Sequence, residues 1–307
     1  MAKNLLRSHL PRFLGSSRIP RSRIASPTAR SIGSKVPAYD GHIPLNWFEN
    51  GVLAAGSAFM ALADPRRGDM VAALGETTAG PSLPRLRDIM LESQEGLQIL
   101  KDRPRINSTT VNMEKLAQLP EGTLGNAYIT WLERCGVTPD TREPVHYIDD
   151  PELAYVMQRY RECHDLYHCI VNLPVSVDAE IAVKYFEFAN LGLPLAAFSA
   201  IFGPLRLNGA QRQRLVAEYI PWALRCGGTA RSLITVYWEQ RWEQNVEEIK
   251  RELGLWDAPP AKWRKPLNEA KLDWEIRSYL NFVISFPVHF GKISSPLDDG
   301  QRPSPHY

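Results

Sequence analysis

Residues 159–180 read RYRECHDLYHCIVNLPVSVDAE, and this stretch decides the fold. Upstream of it, Asp150-Pro151 places proline at a first helical position, where its missing N–H costs nothing. The pattern predicts a helix over 150–172, a stop at Pro174, and a partner helix over 177–191 that ends at Gly192-Leu193-Pro194. Two helices joined by so short a loop pack antiparallel. His164 and His168 stand four residues apart, so both imidazoles can project from one helix face. Asp165 lies about 100° round from His164, at the edge of that face. Counting outward from a turn near 174, positions 168 and 180 are each six residues away. Glu180 is thereby predicted to stand level with His168 on the facing helix.

Two imidazole nitrogens with adjacent carboxylates form a donor set for a divalent metal. Zn²⁺ suits it best, and Fe²⁺ or Mn²⁺ is chemically compatible. Asp165 and Glu180 can each serve as a ligand or as the acid and base of a reaction at the centre. Arg161, three residues before His164, is a candidate to clamp a substrate carboxylate, with Arg159 close by. A plain ion pair with Glu162 or Glu187 is the competing assignment for each. Cys163 and Cys169 flank the histidines about 100° off their face and read as packing. No CxxC pair exists, and all four cysteines read as reduced thiols.

Outward from this hairpin the chain reads as helix after helix. Further helices are predicted over 44–63, 66–74, 82–100, 112–119, 122–135, 195–203, 208–225 and 228–254. Ser82 caps the third of these, and Leu86, Ile89, Met90 and Leu97 recur at helical spacing. Strand-like alternation is nearly absent. The expected fold is a single all-α domain of about ten helices over 40–296, with a metal site between two antiparallel helices. The apolar runs 51–63 and 193–205 fall short of the about 18–20 residues that span a bilayer. Either can pack a core, line an apolar cavity or touch a membrane surface.

Residues 1–39 contain eight Lys or Arg and no Asp or Glu, interspersed with Ser and apolar residues. That composition predicts a mitochondrial transit peptide, removed in the mature protein. The remainder has 28 basic against 34 acidic residues, so no basic surface argues for nucleic acid. Residues 297–307 are polar and proline-containing, and are expected to form a flexible tail.

The spaced motif resembles the HDxxH-x11-E signature of the mitochondrial ubiquinone-biosynthesis family that is fourth in the COQ series. The segments GETTAGPSLPRLRDIMLESQEGLQILKDRPRIN, KYFEFANLGLP and YWEQRWEQNVEEIKRELGL are similar to it as well, so the resemblance spans roughly residues 40–260. It implies an all-helical protein with a zinc ion held by His164, Asp165, His168 and Glu180. It further implies peripheral attachment to the matrix face of the inner mitochondrial membrane, and a place in, and a role in organising, a multi-subunit complex of ubiquinone-biosynthesis enzymes. The implied chemistry is C1 decarboxylation of a 4-hydroxy-3-methoxy-5-polyprenylbenzoate to a 2-methoxy-6-polyprenylphenol. Two other readings compete with it. One is a lipid-binding scaffold with a structural metal. The other is a phosphohydrolase-type site using His146 and Asp178 with the His164-Asp165 pair.

Overall fold

The computed structural model describes residues 36–64, 67–261 and 263; most of the expected transit peptide and all of the expected C-terminal tail lie outside the described residues. Among the described residues the regular structure is helical. A lone antiparallel bridge, Thr123 to Asn245, is the nearest thing to a sheet. The helices are α1 (Trp47–Ala63), α2 (Gly68–Thr78), α3 (Leu83–Leu91), α4 (Gln94–Asp102), α5 (Met113–Ala117) and α6 (Leu124–Cys135). They continue as α7 (Pro151–Ile170), α8 (Val177–Leu191), α9 (Pro194–Phe202), α10 (Gly209–Arg214), α11 (Ile220–Thr229) and α12 (Val246–Leu253). No helix among the described residues is long and apolar enough to cross a membrane.

The central element is α7. Asp150 caps it by accepting from the amides of Glu152 and Leu153. Beyond its first turn, every residue is buried except Cys169, which is half-buried. A helix buried all round is usually apolar all round; this one is not. Its buried charged residues are answered one by one, as a dry interior requires. Arg159 pairs with Glu239 and donates to the Val236 carbonyl. Glu162 accepts from Arg105, from the Ile106 amide and from Gln158. Asp165 accepts from Arg142.

The α7–α8 turn is closed by a Schellman arrangement: the Leu173 amide donates to the His168 carbonyl at 2.9 Å, and Asn172 takes the left-handed conformation with φ 57°. The indole N–H of Trp131 on α6 donates to the Leu173 carbonyl and anchors the turn. Helix α8 then runs back along α7 and packs on its other side against α11, where Phe186 stacks on Trp222.

Several boundaries differ from those the sequence predicts. The expected helix 82–100 is two helices. The Ser93 hydroxyl accepts from the Gly96 amide and starts a new one, and Gly96 lies so close to Met90 that a Cβ there would stand 2.2 Å from the Met90 carbonyl oxygen. The expected 66–74 helix runs on to Thr78. Helices α10 and α11 form one rod through a π-helical stretch, Leu215–Tyr219. Pro221 follows it, and the wider turn accommodates a residue that cannot donate to the helix ladder. The expected helix 228–254 is mostly not one. Asn190 gathers the chain there, donating to the carbonyls of Gly227, Ala230 and Arg231 and accepting from the Leu233 amide. Short 3-10 turns follow until Asn245 caps α12.

Candidate metal centre

The turn sets the register of the hairpin, and the register builds the site. Side chains meet across α7 and α8 as His168 with Glu180, His164 with Lys184, and Tyr160 with Glu187. Each pair lies nearly symmetric about residue 174, as two antiparallel helices demand. The Nε2 atoms of His164 and His168 each lie 3.4 Å from a Glu180 oxygen, His164 from Oε2 and His168 from Oε1. The two imidazole rings are 4.8 Å apart, centre to centre, and steeply inclined at 78°. One ligand atom from each of the three residues falls within 4.8 Å of the others.

Three facts suit this cluster to a metal. Both ring nitrogens of His168 are buried without a hydrogen-bond partner among the described residues. A buried polar atom left this way is costly unless something else satisfies it. The donors are two imidazoles and one carboxylate, the set found in both zinc hydrolases and non-haem iron sites. Finally, the histidines are buried while the Glu180 side chain is 38% exposed, so the centre opens on the glutamate side.

Electrostatics support the same arrangement. Burial works against the Glu180 carboxylate, but His168 and His164 outweigh it and hold its pKa well below the ordinary range, screened in part by the water that reaches the side chain. His164 stays above its ordinary value because Glu187 and Glu180 together outweigh burial and the Lys184 ammonium.

Asp165 stands outside the three-residue cluster, and one of its carboxylate oxygens is taken by Arg142. Arg161 faces elsewhere. It donates to the carbonyls of Ala72, Glu143 and Pro144 and pairs with Glu76 at 2.8 Å, tying α2 to the loop before α7. Glu76 completes that tie by accepting from the amides of His146 and Tyr147. His146 holds the Gly41 carbonyl, and Asp178 accepts from Ser176 at the start of α8; neither joins the cluster.

Three residues near the centre carry no signal in the sequence motif. Arg142 is within electrostatic reach of Glu180 and Glu187 as well as of Asp165. Lys184 and Glu187 sit one and two turns beyond Glu180 on α8 and face α7. Helical spacing from Glu180 at i+4 and i+7 is the pattern that points to them.

Comparison with known proteins agrees with the sequence resemblance. Residues 39–259 match the family described as coenzyme Q (ubiquinone) biosynthesis protein Coq4. The chain is similar to the mitochondrial ubiquinone biosynthesis protein COQ4 of Coprinopsis cinerea, 71% identical over 251 residues, covering 82% of this chain and 86% of that one. It is similar to the protein of the same name from Laccaria bicolor, 74% identical over 235 residues and covering 76% and 79%. The Aspergillus niger protein is 54% identical over 225 residues, covering 73% and 77%. Among solved structures, a putative ubiquinone biosynthesis protein from Nostoc punctiforme shares the fold, with a TM-score of 0.55 at 24% identity over 67% of this chain and 98% of that one.

Proposed function

The chain belongs to the Coq4 family of coenzyme Q (ubiquinone) biosynthesis proteins, and on that premise we propose that it is a metal-dependent decarboxylase of a polyprenylated 4-hydroxy-3-methoxybenzoate. The observation that carries this reading is the three-donor cluster, His164, His168 and Glu180, with its open side at Glu180. Structural zinc is usually closed by four protein ligands, whereas catalytic zinc keeps a position free. Three converging donors therefore favour catalysis over the alternative of a lipid-binding scaffold with a structural metal.

His164, His168 and Glu180 would hold the zinc, which would supply Lewis acidity toward the anionic head of the benzoate. The chain's own groups do the rest. Breaking the C1–carboxyl bond leaves its electron pair on the ring carbon, CO₂ departs, and one proton must reach C1. Asp165, beside the cluster and steadied by Arg142, is assigned as the proton carrier in preference to a fourth ligand. Arg142, a third exposed, is assigned to the substrate carboxylate in place of Arg161, whose guanidinium is spent on Glu76 and three carbonyls.

The same reading places the protein on a membrane, as a peripheral component of a multi-subunit complex of ubiquinone-biosynthesis enzymes in mitochondria, at the matrix face of the inner membrane. Supporting it, Trp47, Phe48, Val52, Phe59 and Leu62 on α1 are exposed, and only glycine and alanine are exposed between them. Phe198, Ile201, Phe202 and Leu205, in and just after α9, extend the apolar surface, and Arg206 joins the two by donating to the Ala61 and Leu62 carbonyls. An exposed apolar area of this kind marks a contact surface.

The test is metal content and CO₂ release from a prenylated 4-hydroxy-3-methoxybenzoate, for the wild type and for His168→Ala. The variant is expected to lose both. Full turnover by metal-free His168→Ala would sink the metal-dependent reading, and a wild type that binds zinc without turnover would favour the scaffold.

A further inference from the structure

A short, buried polar contact lies behind the centre. Glu187 is fully buried, with Oε1 2.6 Å from His164 Nδ1. Its other oxygen accepts from the Tyr160 hydroxyl and from the Lys184 ammonium, each at 2.7 Å. An ionised carboxylate only accepts, so the imidazole must supply the proton of the short contact. Lys184 lies 3.4 Å from the same Nδ1 but is itself only a donor, and its hydrogens are directed to Glu187 and to Tyr160 at 3.1 Å. The arrangement therefore puts hydrogen on Nδ1 and leaves Nε2, which faces His168 and Glu180, as the nitrogen that would bind a metal.

We propose that Glu187 is a positioning residue for the metal centre, fixing the ring angle and tautomer of His164 through Nδ1 while Tyr160 and Lys184 hold its own carboxylate in place. The proposal rests on the metal reading above. Metal-binding histidines commonly gain their orientation and basicity from such a partner, and losing it typically weakens metal binding by about 10- to 100-fold. His168 has no such partner: its Nδ1 is buried and unpaired among the described residues, and Trp131 holds its ring by packing at 5.6 Å. The two histidines are thus held by different means, and only His164 depends on a carboxylate.

The experiment is a zinc titration of the full-length chain against a chromophoric chelator, for wild type, Glu187→Gln, Glu187→Leu and Glu180→Gln. Circular dichroism confirms that each variant is folded. Glu187→Gln keeps an acceptor for Nδ1–H but turns an amide donor toward Lys184, so it is expected to bind more weakly than wild type and more tightly than Glu187→Leu. Both should still take up one zinc at saturation, with the leucine variant weakened about 10- to 100-fold. Glu180→Gln, altered at a ligand, is expected to lose more. In the zinc-loaded wild type, a slowly exchanging imidazole Nδ1–H resonance from His164 should be visible by NMR and should be lost or shifted in Glu187→Gln. That measurement decides the matter if the leucine variant fails to fold. Unchanged zinc affinity and an unchanged resonance in Glu187→Gln would overturn the inference while leaving the metal reading intact. Loss of zinc at saturation in Glu187→Gln would make Glu187 a ligand and overturn the positioning role. A wild type that binds no metal would overturn both readings together.

Discussion

Two neighbouring glycines on α11 should respond oppositely to the same added methyl. Helix α8 contributes Glu180, Lys184 and Glu187 to the centre and is held in place chiefly by α11. Gly227 is buried at that contact, and a Cβ there would stand 2.5 Å from the Phe186 carbonyl oxygen and 3.1 Å from the Ala189 Cβ. Ordinary contact begins at 3.4 Å, and the obstacle is backbone, so α11 must back away by several tenths of an ångström. Overpacking of this kind costs about 1–3 kcal/mol. Helix propensity returns about 1 kcal/mol, leaving Gly227→Ala destabilised by about 0–2 kcal/mol. Gly228 has nothing within 4 Å of a built Cβ, so Gly228→Ala keeps the propensity gain alone. The two variants should differ by about 2 kcal/mol, or about 4–8 °C in Tm for a domain of this size. Urea unfolding followed by circular dichroism measures the gap. A Gly227→Ala protein as stable as Gly228→Ala would refute the close approach of α8 and α11.

Further outcomes follow from the buried charges and the apolar surface. Arg161→Met should destabilise by about 3–5 kcal/mol, because it leaves Glu76 without its cation, while zinc bound per folded molecule stays constant. A stable variant with impaired substrate binding would instead restore Arg161 to the active site. Glu252 is held down to about 2, first by its hydrogen bonds from Arg241. A depressed carboxyl contributes stability above its ordinary pKa of 4.5 and loses it as pH falls toward 2. The stability gap between wild type and Glu252→Gln should therefore be small, given its 41% exposure, full near neutrality, and closed in acid; a gap that widens in acid contradicts the assignment. Trp47→Ser with Phe59→Ser should reduce co-sedimentation with anionic phospholipid vesicles and leave zinc content unchanged, and undiminished sedimentation would move the membrane contact elsewhere.

The hairpin was legible in the sequence because its signals are local: Pro151, Pro174 and Gly192 punctuate it, and a level count across the turn finds Glu180. Partners distant in sequence were not legible. Nothing in RYRE says that Arg161 meets Glu76, or that Asp165 meets Arg142, because those encounters depend on how α2 and the 139–147 segment cross α7. Arg161 reads as a clamp from its place beside His164, yet one turn of helix carries its guanidinium to another neighbour. The missed break at 228–254 has a similar cause. The run EQRWEQNVEEIKREL has helix-forming composition, but a single side chain from α8, Asn190, captures the preceding backbone and sets a different course.

Three of the charges buried on α7 are answered from far along the chain. Glu162 meets Arg105 across 57 residues, Arg161 meets Glu76 across 85, and Arg159 meets Glu239 across 80. Until these partners arrive the three charges on α7 are unpaired, which ties the burial of the helix to contacts far along the chain. Loop closures of that length must precede the contacts that reward them, which slows folding and makes it all-or-none. The protein is in this sense indivisible: any cut between residues 76 and 239 strands at least one of these charges. A fragment spanning 140–195 keeps all three metal donors, yet it should stay unfolded in solution, and a helical circular dichroism spectrum from it would contradict that expectation.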